Sequence, residues 1–180
     1  MSIRERLRAY ALRQGFNQSF QAHDYPGFKL LKRVGIAFQA GQSEKAVLDY
    51  ARELRNKGKE VHLLGYIPKR RKDIEGIPSY PWLCKSDVNW LGVPKGKEVS
   101  DFLALHFGVY IEILDAQSHP LDFVSSRVAA DFKIGFSTRE ELGFDLSLQM
   151  MEKSPAQSAF KEIDYYLNFI NNKESKEQKI

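Results

Sequence analysis

Residues 109–114, Val-Tyr-Ile-Glu-Ile-Leu, carry the strongest strand signal in this 180-residue chain. Aromatic and β-branched side chains dominate the run and no turn residue interrupts it. Alternation puts Val109, Ile111 and Ile113 on one face and Tyr110, Glu112 and Leu114 on the other. A strand with two such faces belongs inside a sheet. Glu112 is its discordant residue: a helix laid over that face buries a carboxylate, which then needs a partner or a raised pKa. Such burial suits a general base and a hydrogen-bonded structural acid alike, and the structural acid is the expectation.

Strands and helices alternate around this run. Residues 33–38 are a short apolar strand, followed by the loop Ala40, Gly41, Gln42 and Ser43 and then by Val47, Tyr50, Ala51 and Leu54 at helical spacing. Gly58 stands where a helix ends, after Arg55 and Lys57, and residues 60–64 read as a second strand. Residues 67–97 hold Pro68, Pro78, Pro81 and Pro94 and predict an irregular excursion with at most one short strand. Val99, Phe102, Leu103 and residues 105–106 predict a short helix before the central strand. Pro120 at the first helical position after His119 opens another helix, and residues 132–136 form the next strand. Phe144, Leu146 and Leu148 alternate with polar residues, as in an edge strand, and Ser154-Pro155 opens a last helix carrying Phe160, Ile163, Leu167 and Ile170.

The expected architecture is α/β in three layers: a mostly parallel, five-stranded, flavodoxin-like or Rossmann-like sheet in the order 2-1-3-4-5. An extra basic helix over residues 2–15 precedes it. Residues 1–28 then form that helix and a linker, 29–171 a single domain, and 172–180 a frayed tail.

No run reaches 18 apolar residues and no secretory leader opens the chain, so a cytoplasmic protein without a membrane span is expected. The lone Cys84 gives no intramolecular disulfide and no zinc pattern; neither a metal nor a cofactor is expected. The loop after the first strand lacks both the GxGxxG and the GxxxxGK[ST] glycines. Ligands of open α/β sheets nevertheless sit beyond the carboxyl ends of the strands, where strand order reverses. Gln39, Gly41 and Ser43 after the first strand, Asp115, Ser118 and His119 after the central one, and Arg139 after the next are the crevice candidates. Asp115, Ser118 and His119 invite a triad reading, but adjacency in sequence supplies neither an exposed nucleophile nor an oxyanion hole.

Charge is asymmetric: residues 1–75 hold 16 Lys/Arg against 8 Asp/Glu, and residues 76–180 hold 11 against 15. Arg4 and Arg8 on the first helix and the run Lys69, Arg70, Arg71 and Lys72, with Tyr66, Tyr80, Trp82 and Trp90 nearby, define a candidate contact face. The expected role is a non-enzymatic binding protein whose basic face meets an acidic protein or RNA. The alternative is a small-molecule enzyme or sensor that uses the crevice.

Residues 107–113, the helix after them, residues 130–136 and Phe144-Asp145-Leu146 resemble a family of uncharacterised bacterial proteins of about this length, with no assigned activity. Ile134-Gly135-Phe136 and the strand pattern are also similar to the N-terminal half of heptosyltransferase-type glycosyltransferases. In those enzymes the sugar-nucleotide donor binds largely to a second domain, so this second likeness implies the fold and not the activity.

Overall fold

Strands with no exposed face need cover on both sides, and two strands of this chain meet that description. In the computed structural model, which describes residues 5–10, 12, 31–41, 43–114, 118–135, 142–148 and 158–167, residues 34–38 of β1 (Arg33–Gln39) and 107–113 of β4 (His106–Ile113) are buried throughout. Helices supply the cover. Residues 5–10 and Leu12 are helical (α1), followed by α2 (Glu44–Asn56), β2 (Glu60–Ile67), β3 (Trp82–Cys84), α3 (Lys97–Leu103), α4 (His119–Ser125), β5 (Ala129–Gly135), β6 (Leu146–Ser147) and the helical residues 158–167 (α5).

All six strands are parallel, in the order β3-β2-β1-β4-β5-β6. The expected five-strand order is contained in this sheet. β3 lies within the 67–97 excursion; only three residues long and preceded by Pro81, it is too short to show a period. Its place outside β2 turns a flavodoxin-like order into the Rossmann order. Boundaries also move, among them the start of β5, at Ala129 rather than residue 132. β4 starts at His106, where the sequence suggested helix. Ser118, not His119, caps α4, because Pro120 is tolerated anywhere in a first turn whose N–H groups lack helical partners. The alternation at residues 144–148 shrinks to the two-residue edge strand β6.

The core has two layers. Val34, Ile36, Val109 and Ile111 face Val47, Tyr50 and Leu54 of α2 and Phe160, Ile163 and Leu167 of α5. Ala37, Leu64 and Tyr110 face Phe102 of α3 and Leu121 and Val124 of α4. Tyr50 ties the first layer together: its ring stacks on Phe160 at 4.2 Å and its hydroxyl donates to Asp164 at 2.6 Å. Burial, then Asp164, pushes this phenol far above its ordinary pKa, so it remains a donor. No helix among the described residues is long and apolar enough to cross a membrane.

Ile163 is wholly buried against the sheet. Ile163→Asp is therefore expected to cost about 3 kcal/mol or more, read as a lowered urea midpoint, because it buries an unpaired charge. An unchanged midpoint would make α5 peripheral.

Candidate functional site

Strand order reverses between β1 and β4. The helix after β1 packs on one face of the sheet and the helix after β4 on the other, so the two connections part at the carboxyl ends, where open α/β sheets form a ligand crevice. Gln39 and Gly41 border it on the β1 side, where the Ala40 N–H donates to the Tyr66 carbonyl at 2.8 Å. Ser43 there is buried at the start of α2. Ser118 is its counterpart on the β4 side: 3% exposed, its carbonyl accepting from the Asp122 N–H at 2.8 Å, its hydroxyl without a hydrogen-bond partner among the described residues. His119 is half-exposed and turns its Nδ1 toward the buried Asp122, 3.4 Å away. Arg4, Asp115 and Arg139 lie outside the described residues. Of the crevice candidates, Gln39, Gly41, Ser43, Ser118 and His119 thus have a described place.

Beneath the crevice lies a polar cluster that the sequence pointed to only through Glu112. This carboxylate is wholly buried and accepts a short hydrogen bond from the Ser125 hydroxyl on α4. A hydroxyl has one hydrogen, so the Tyr110 hydroxyl, 2.7 Å from Ser125 Oγ, donates to it. The chain of donors therefore runs Tyr110 to Ser125 to Glu112. Lys133 stands opposite Tyr110 in the β4–β5 register and donates from Nζ to the Ser125 carbonyl at 3.0 Å. Burial lowers its pKa to about 8, against the upward pull of Asp145 and Glu112. Burial first, then Glu112, raises the Tyr110 phenol. Asp122, Ser125 and Lys133 were hidden in the sequence by apolar neighbours. Asp122 and Ser125 follow Leu121 and Val124 at the same three-residue spacing, and that parallel row was the signal available.

Apart from tyrosines and Cys84, every buried polar side chain among the described residues belongs to the β1–α2 loop or to β4, α4, β5 and their connections: Ser43, Glu112, Ser118, Asp122, Ser125, Ser126 and Lys133. No three His, Cys, Asp or Glu side chains gather there as a metal site requires, among the described residues. The arrangement suits hydrogen bonding and charge recognition. The hydroxyl bonded to a carboxylate, that of Ser125, is wholly buried.

The basic face is organised differently. Arg70 pairs with Asp73 at 2.9 Å, and Arg71 reaches both carboxylate oxygens of Asp87 at 2.8 Å while lying 4.7 Å from the centre of the Trp82 ring. Lys69 and Lys72 are exposed. Arg8 donates to the Leu91 carbonyl at 2.8 Å, which fastens α1 to the excursion beside His119. Gly92 permits that approach: its φ is +87°, and an added Cβ would lie 3.0 Å from the Cβ of His119. Basic and aromatic side chains here hold a loop together.

Lys133 also makes a testable contribution to stability. Its pKa falls from 10.5 to about 8 on folding, so the unfolded chain binds more protons between those pH values. The cost of burying the charged amine is fully present below pH 8 and is relieved as pH rises toward 10.5. Wild-type stability relative to Lys133→Met should therefore rise by about 3 kcal/mol over that window, read by urea unfolding at both ends. A constant difference would contradict this placement of the amine.

No curated protein and no solved structure matches the chain, so the likeness to glycosyltransferases draws no support from them. A family model does match, over residues 4–170, and its description is a family of unknown function, DUF6913. The sequence resemblance to an uncharacterised family thus has a definite counterpart, and the chain belongs to the family of unknown function DUF6913.

Proposed function

We propose that the chain binds a small polar molecule in the crevice between the β1–α2 loop and the start of α4. The observation that carries this reading is the confinement of the buried Ser, Asp, Glu and Lys side chains, among the described residues, to the elements around the switch point. Burying a hydroxyl or a carboxylate costs free energy even when it is hydrogen-bonded, and a cluster placed where α/β sheets receive ligands has a use for those groups. Ser118 supports it further, since a buried hydroxyl without a partner costs about 1–3 kcal/mol that a ligand would recover. Contact between the basic face and an acidic protein or RNA is the second reading. It rests on the exposed Lys69 and Lys72, while Arg70 and Arg71 are already matched by Asp73 and Asp87.

Native mass spectrometry of the purified protein, with absorbance at 260 nm, separates the two. The crevice reading expects a retained small molecule, or stabilisation by one member of a panel of amino acids, sugars, nucleotides and carboxylic acids. Ser118→Ala should abolish that response while leaving the melting temperature unchanged or higher, because it removes an unsatisfied group. A wild-type protein that responds to none of the panel but binds RNA in a salt-dependent way would favour the basic face instead.

A further inference from the structure

β2 is eight residues long, but β3 covers only its end: Gly65, Tyr66 and Ile67 pair with Trp82, Leu83 and Cys84. In a parallel ladder one residue turns its N–H and C=O to the same neighbour, and alternate residues serve opposite neighbours. The Glu60 N–H donates to Lys32 on the β1 side at 2.8 Å, and the Gly65 N–H donates to Pro81 on the β3 side at 2.9 Å. Val61 and Leu63 therefore turn their backbone toward the outer edge. The Val61 carbonyl accepts from Arg55 at 2.9 Å, whereas the Leu63 N–H and C=O have no outer-edge partner among the described residues.

A cavity of about 330 Å³ runs along this stretch of edge. Leu48 and Arg55 of α2 form one wall, Glu98, Asp101 and Phe102 of α3 form the other, and Pro81 closes the end toward β3. The walls differ in character. The Val61 and Leu63 side chains join Leu48 in the core layer under α2, so that side is mainly apolar. The α3 side carries two carboxylates, with Lys97 bonded to Asp101.

We propose that this groove takes an extended peptide of alternating apolar and basic residues, added to the sheet alongside residues 61–63 of β2. Strand addition supplies main-chain hydrogen bonds to Leu63, and the two walls read the two faces of the peptide. Adjacent side chains of a strand point to opposite sides, so alternation satisfies both walls at once: apolar toward Leu48, basic toward Glu98 and Asp101. The inference is independent of the crevice, which opens at the other end of the β1–β4 pair.

Fluorescence polarisation with a labelled, end-blocked pentapeptide Val-Lys-Val-Lys-Val tests it on the full chain. Saturable binding is expected, at least about tenfold tighter than for Val-Glu-Val-Glu-Val, and Glu98→Lys should weaken the first peptide by about tenfold and strengthen the second. Only residues of one parity face β2. Methylating the backbone amides of the valines or those of the lysines should therefore abolish binding for one set and spare it for the other. Absence of saturable binding by the lysine peptide, indifference to Glu98→Lys, or equal effects of the two methylated forms would overturn the proposal.

Discussion

The two-sided burial of β1 and β4 dictates most of what surrounds them. Buried parallel strands cannot be joined by hairpins, so β2 follows β1 through α2, β4 follows β3 through α3 and β5 follows β4 through α4, each helix laid across one face. α2 and α5 cover one layer, α3 and α4 the other. Crossovers that leave β1 and β4 for opposite faces force strand order to reverse between them, and the crevice is the geometric residue of that reversal.

Glu112 is an exception within this apolar centre. It occupies the face of β4 that α4 covers, next to Tyr110 and under Ser125, and the short relay of hydroxyl donors offsets part of the cost of burying a carboxylate. Lys133 brings a compensating charge at the price of its own desolvation. An apolar core would avoid both costs. Their position beneath the crevice is what supports the proposed role of the cluster in recognition.

Long elements with regular periods were legible in the sequence. The run 109–114, the helix at Val47, Tyr50, Ala51 and Leu54, and the buried Phe160, Ile163 and Leu167 all occupy the places that their spacing implied. A short strand within residues 67–97 was legible, but its place was not, since three residues behind a proline show no period, and its addition changed the topology. Arg71 looked like part of an open basic run because its partner Asp87 lies sixteen residues on and comes back only through the fold, whereas Arg70's partner Asp73 lies only three residues on. Lys133 sat inside a strand pattern, where sequence alone does not tell a buried amine from an exposed one. The crevice candidates followed from topology; the polar groups beneath them needed the side of α4 that faces the sheet.

The unfolding free energy of the combined variant Tyr110→Phe, Glu112→Leu, Ser125→Ala and Lys133→Met tests most directly whether this cluster is dispensable for the fold. These replacements keep nearly the same volume and remove the relay, the carboxylate and the amine together. Because buried charge networks are often replaced by apolar groups without loss, the account predicts a stability within about 1 kcal/mol of wild type, or higher. A loss of several kcal/mol would show that the fold itself requires the cluster, and would contradict the argument that these groups are held for recognition.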